Sequence, residues 1–125
     1  MRVVLVTMDS HLASAAMRAG RRLAQALPGL HFVAHAAAEW GDDPQAVERA
    51  RQDIARGDIV IATMLFMEDH IQAVLPALTA RRDACDAMVC FMSAGEVIKL
   101  TRMGRFAMGG SQGPIVSLLK KLRGA

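Results

Sequence analysis

Four short apolar runs punctuate the chain, and between them apolar residues recur at the three- and four-residue spacing of helices. Val3-Val4-Leu5-Val6 centres a strand over Arg2–Thr7, short and β-branched enough to be buried on both faces. Asp9 or Ser10 can cap a following helix to about Leu27, with Leu12, Ala16, Ala19, Leu23 and Leu27 as its inner stripe. Pro28-Gly29 ends that helix, and residues 30–35 read as the second strand. Asp43-Pro44, a capping carboxylate before proline at the first helical position, opens a helix to about Arg56 that buries Val47, Ala50 and Ile54. Gly57 stops it, and the third strand covers 58–63. A third helix starts near Glu68-Asp69, with Ile71, Val74, Leu75 and Leu78 on one face and Pro76 predicting a kink or a split. The fourth strand is Ala87–Phe91. Ser93-Ala94-Gly95-Glu96 has the form of a capping box and predicts a helix carrying Val97, Leu100 and Met103 inward. Residues 104–113 read as a glycine-rich loop. Pro114 then opens a last amphipathic helix, with Ile115, Leu118, Leu119 and Leu122 apolar.

Strands alternating with helices must be parallel, because each crossover needs a helix's length of chain. The expected fold is therefore α/β: a three-layer, doubly wound, flavodoxin- or Rossmann-like parallel sheet of four or so strands, in the order 2-1-3-4. Its 125 residues are expected to form a single domain, 1–125.

Polar residues stand at the carboxyl ends of these strands, where such sheets bind ligands. The candidate rim for substrate binding or docking is Asp9, Ser10, His11, Glu39, Trp40, Glu68, Asp69, His70, Ser93 and Glu96. The expected strand order brings Asp9, Ser10 and His11 close to Glu68, Asp69 and His70. These two imidazoles and three carboxylates would in principle suit a divalent metal, yet no spacing matches a metal motif. Each residue also has a plainer role. Asp9 or Ser10 can simply cap a helix, and Glu68 and Asp69 suit the positive end of a helix dipole. Trp40 can stack on a planar ligand or cover the core edge equally well. His31 and His35, on the same side of the second strand, read as structural histidines. Gly109-Gly110-Ser111 lacks the order of a phosphate-binding loop, and neither G-x-G-x-x-G nor G-x-S-x-G is present.

Composition narrows the choice. One Trp, four Phe and no Tyr, with nine Met, give an aliphatic, adaptable core and argue against single-stranded nucleic acid as a partner. The net charge of +3 is uneven, since no acidic residue follows Glu96 and residues 1–96 carry −3. That basic end is a solvated tail, or a docking surface for an acidic partner or for the remainder of a longer polypeptide. Cys85 and Cys90, five apart, fit neither a redox nor a zinc motif and read as two buried thiols. No apolar run approaches the ~18 residues of a transmembrane segment, so a soluble, cytoplasmic domain is expected.

Several blocks resemble one family. Val3-Val4-Leu5-Val6-Thr7-Met8-Asp9-Ser10-His11-Leu12-Ala13 is similar to the start of the large, porphyrin-binding H subunits of magnesium chelatases. So are His35-Ala36-Ala37-Ala38-Glu39-Trp40, the block from Asp58 to His70, and Ala94-Gly95-Glu96-Val97-Ile98-Lys99-Leu100-Thr101-Arg102-Met103-Gly104. The likeness covers essentially the whole chain but matches only the amino-terminal domain of a much longer subunit. It implies membership of a ligase that inserts Mg²⁺ into protoporphyrin IX with ATP, in the synthesis of chlorophyll and bacteriochlorophyll for photosynthesis. The implied partners are the remainder of the H subunit, the ATPase motor and the adaptor subunit, with porphyrin contact an open possibility. The resemblance places no catalytic residue, resident metal or cofactor in this segment; Mg²⁺, protoporphyrin IX and ATP belong to the whole complex. Asp9, His11, Glu68, Asp69 and His70 are chemically suited to relay pyrrole protons.

Two other readings compete. Asp9-x-His11 and Thr63-Met64-Leu65 echo corrinoid-binding motifs, but Ser14 stands where the motif has glycine and Gly109-Gly110 lies too far along. A stand-alone docking or regulatory module is the stronger alternative. An open reading frame continuing past Ala125 would favour the chelatase subunit over that module.

Overall fold

The computed structural model describes residues 1–103, 106 and 107; the last helix expected from Pro114 and most of the expected loop 104–113 lie outside them. The described elements are β1 (Arg2–Thr7), α1 (Ser10–Ala26), β2 (His31–Ala36), a 3-10 turn (Ala37–Glu39), α2 (Pro44–Arg56), β3 (Ile59–Thr63), α3 (Glu68–Arg81), β4 (Ala87–Phe91), α4 (Gly95–Ile98), β5 (Arg102–Met103) and β6 (Phe106–Ala107). They form a mostly parallel α/β sheet in the order β2-β1-β3-β4-β5-β6. The expected 2-1-3-4 order holds for the four parallel strands. The addition is an antiparallel pair, β5 and β6, on the β4 edge.

Strand alternation sorts the side chains onto two faces. Val4, Val6, Val60, Ala62, Met88 and Cys90 are buried on one, beneath Ala50 and Ile54 of α2 and Ile71, Val74 and Leu78 of α3. This is the main core. On the other face α1 packs against β1 and β2 through Ala13 and Gly20. Gly20 is there because a Cβ would stand 2.6 Å from the Phe32 ring.

Several expectations need correction. The inner face of α1 is not the leucine stripe: Leu12, Leu23 and Leu27 are 39, 51 and 55 % exposed, and the small residues Ala13 and Gly20 meet the sheet instead. Ser93 does not cap α4, whose N-cap is Ala94 with no side-chain cap. The Ser93 hydroxyl is already engaged, accepting from the Leu65 N–H at 3.1 Å and donating to the Phe91 carbonyl at 3.1 Å. The fourth helix is accordingly four residues long, and Met103 lies in β5, 38 % exposed, rather than on an inward helix face. Pro76 does not split α3, which runs unbroken from Glu68 to Arg81. Arg51 Nε donates to the Ala73 carbonyl at 2.7 Å, tying the turn before the proline to α2.

Asp43 caps α2 as expected, accepting from the Gln45 and Ala46 N–H groups at 3.1 Å, with Pro44 at the first position. Both thiols are free and buried. Thr101 closes the edge of β4 above them, its hydroxyl accepting from the Cys90 N–H at 3.0 Å and donating to the Cys90 carbonyl at 2.9 Å. Among the described residues no helix is long and apolar enough to cross a membrane.

Candidate functional site

The carboxyl rim is built from the turns after β1, β2, β3 and β4. After β3 and β4 the chain turns through Met64 (φ 61°) and Met92 (φ 46°), both in the left-handed region that side chains other than glycine rarely occupy. Hydrogen bonds over-determine these turns. Met64 N–H donates to the Met92 carbonyl at 2.8 Å, Ala94 N–H donates to the Leu65 carbonyl at 3.0 Å, and Ser93 bridges Leu65 and Phe91. The two loops are one stitched unit. The stitching directs apolar side chains outward: Phe66, Met67, Phe91 and Met92 are 62, 59, 45 and 66 % exposed. Leu65, between them, is fully buried and anchors the turn.

The polar rim residues divide by what already engages them. Asp9 is the N-cap of α1, accepting from the His11 N–H at 3.0 Å. Glu68 takes the Gln72 side-chain amide at 2.7 Å within the first turns of α3. His11 and Asp69 are exposed, Glu96 is half-buried in the first turn of α4, and Ser93 is buried. Trp40 is 5 % exposed and part of the core, covering its edge rather than presenting a face to a ligand. Its ring meets His70 edge-on, with centroids 6.1 Å apart at 83°. His70 Nδ1 and, at the end of β1, Thr7 Oγ1 are buried without a hydrogen-bond partner among the described residues.

Ser10, Glu39 and Trp40 do come together, around a cleft of about 220 Å³ at the β2 edge that residues of both α1 and α2 line. His35, Ser14 and Arg49 share its wall. His35 is structural in the expected sense: Nε2 lies 2.7 Å from the Asp53 carboxylate of α2, locking the edge strand to the helix layer. The cleft is smaller than the roughly 300–1,000 Å³ usual for a small-molecule site. Among the described residues no three His, Cys, Asp or Glu side chains are grouped to hold a metal ion, so Asp9, His11, Glu68, Asp69 and His70 do not make a metal site. The apolar prominence of Phe66, Met67, Phe91 and Met92 was not singled out from sequence. Its only signal is four large apolar residues at or just past strand ends, where polar ones are usual.

The described residues thus define a doubly wound, mostly parallel α/β domain with a stitched, apolar carboxyl rim. The chain belongs to the family described as "Domain of unknown function (DUF3479)", whose profile matches residues 2–125. It is similar to the amino-terminal region of the magnesium-chelatase H subunit from Cereibacter sphaeroides, 48 % identical over 123 residues, and to its counterpart from Rhodobacter capsulatus, 41 % identical over 122. Each alignment takes 98 % of this chain and 10 % of the relative. The chloroplastic magnesium-chelatase ChlH protein of Oryza sativa is 28 % identical over 126 residues, 96 % of this chain and 9 % of that one. The chain therefore spans about a tenth of the length of these curated relatives.

Proposed function

We propose that this domain is the amino-terminal part of a magnesium-chelatase H subunit and contributes to ATP-dependent insertion of Mg²⁺ into protoporphyrin IX by docking, through its carboxyl rim, onto the body of that subunit. The observation that carries the chelatase reading is 48 % identity across 98 % of the chain. The docking role rests on the rim itself. Four exposed apolar side chains on one stitched pair of loops form the kind of surface that monomeric domains rarely leave open. The left-handed backbone at Met92, one of the four, and at Met64 in the same unit is of the sort retained where a surface is used. A direct porphyrin site has less support: the indole is buried, and the cleft beside it is small and open at a sheet edge.

The test is the pair Phe66→Ser and Met92→Ser in a full-length H subunit, assayed with its motor and adaptor subunits. Docking predicts that Mg²⁺ insertion falls at least tenfold and that protease releases the domain more readily, while porphyrin affinity changes less than threefold. Unchanged insertion and unchanged proteolysis would refute the docking role. Loss of porphyrin affinity with the domain still protected would replace it with a substrate-contact role.

A further inference from the structure

The parallel strands β1 to β4 end on one edge, so the stretches that carry the chain from each into its helix lie side by side there. These stretches are residues 8–11, 37–45, 64–70 and 92–96. They hold Asp9, Glu39, Asp42, Asp43, Glu68, Asp69 and Glu96 but neither lysine nor arginine. The next cation along α2, Arg49, reaches back only to Asp43, at 4.0 Å, and Lys99 follows α4. At the opposite edge the charges are mixed: Arg2, Arg56, Arg81 and Arg82 stand among Asp58, Asp83 and Asp86. The carboxyl rim is the one-sided edge. Local helix chemistry explains why acids stand on it, since Asp9 and Asp43 are N-caps and Glu68, Asp69 and Glu96 lie in first turns. It does not neutralise them. The N-termini of α1, α2 and α3 each present about half a positive charge, a small part of what the carboxylates carry.

The exposed apolar side chains sit within this charge. Phe66 and Met67 run directly into Glu68 and Asp69, and Glu96 follows Phe91 and Met92 on the stitched partner turn. The other carboxylates stand one to three strand spacings to the side, roughly 5–15 Å. The nearer of these act on the patch across the Debye length of ~8 Å at physiological salt. Any surface that covers the patch must therefore take water from beside these anions. A cationic surround pairs them as it does so, whereas an anionic one sets like charges together and an uncharged one leaves them unpaired. The same argument excludes a second copy of this rim as the occupant. Two of the four apolar side chains are methionine, which adapts its shape to what it meets. The matched region is 10 % of the length of the curated relatives, and docking onto the subunit body puts the complementary face in the remainder.

We infer that the carboxyl rim, apolar at Phe66, Met67, Phe91 and Met92 and anionic around them, docks on a cationic face of the subunit body, with an apolar centre ringed by lysine and arginine side chains. This rests on the docking role proposed above and adds the chemistry of the surface that receives the rim.

The test is amide exchange at residues 64–67 and 91–94 of a full-length H subunit carrying Asp69→Lys or, separately, Glu39→Lys. Asp86→Lys, an equal change of charge on an exposed side chain at the opposite edge, is the control. The amides of β3 and β4 report whether the fold is intact, and Glu39→Lys keeps the test valid if Asp69→Lys disturbs the start of α3. A cationic partner face predicts that protection of the rim amides falls about fivefold or more in Asp69→Lys, falls less in the more distant Glu39→Lys, and holds in Asp86→Lys. It also predicts that protection in the unmodified subunit declines as NaCl is raised from about 50 to about 500 mM. Equal protection in the unmodified subunit and both rim variants at either salt concentration would overturn the inference and leave docking standing. Stronger protection in the rim variants would overturn it as well, by assigning an anionic face to the body. Salt-sensitive protection already present in the 125-residue chain alone would move the cationic face to this chain's own basic end, and the inference would fall. Absence of protection in the unmodified subunit is the distinct failure of the docking reading, and the inference falls with it.

Discussion

Burial, and after it the neighbouring Cys85, push the Cys90 thiol up to about 11, against the smaller opposing effect of the Thr101 hydroxyl. The folded chain thus keeps a proton that the unfolded chain gives up near pH 8.5–9. Stability from this source is fully present below that pH and is lost as pH rises through about 11. Denaturation followed from pH 8 to 11 should show a decline on the order of 2 kcal/mol that Cys90→Ala lacks. Thr101 serves the same strand by standing in for a neighbour. Thr101→Val removes both bonds to the Cys90 backbone and should cost about 1–3 kcal/mol, while Thr101→Ser should recover most of it. At Met92 the expectation is reversed. Glycine accepts its positive φ freely, so Met92→Gly should raise stability by up to about 1 kcal/mol while weakening docking in the full-length protein. Had Met92 no role beyond its own fold, only the first effect would appear.

Elements show where the sequence was readable and where it was not. Helix α2 announced itself through Asp43-Pro44 and Gly57, because capping chemistry is local. Asp43→Ala should cost about 1 kcal/mol in a denaturation curve. Helix α1 had the right ends but the wrong face. Periodicity weighs large apolar residues, whereas close approach to a sheet selects small ones, and Ala13 and Gly20 carry little hydrophobic signal. Gly20→Val should therefore destabilise by about 1–3 kcal/mol through its clash with Phe32, and Phe32→Ala should relieve part of that loss. The Ser93 cap failed for a different reason. Its hydroxyl was claimed by Leu65, 28 residues earlier, a contact no local pattern encodes. Strands β5 and β6, two residues each, are too short to show any period.

At the scale of the molecule, the order of the four parallel strands was legible because connection rules leave few topologies for alternating strands and helices. The family was legible because long blocks such as the one from Asp58 to His70 carry a likeness beyond any single motif. The candidate site was legible only in part. Its location on the carboxyl rim followed from topology, but its character did not. Of the polar groups chosen for their chemistry, Asp9 is a helix cap and Glu68 a local partner of Gln72, while Phe66, Met67, Phe91 and Met92 are exposed beside them. Docking through that surface is most directly tested by amide hydrogen exchange at residues 64–67 and 91–94, measured in this chain alone and within a full-length H subunit. The account predicts that these amides exchange at least tenfold more slowly in the full-length protein, with the α2 amides unchanged. Equal exchange in the two settings would contradict it.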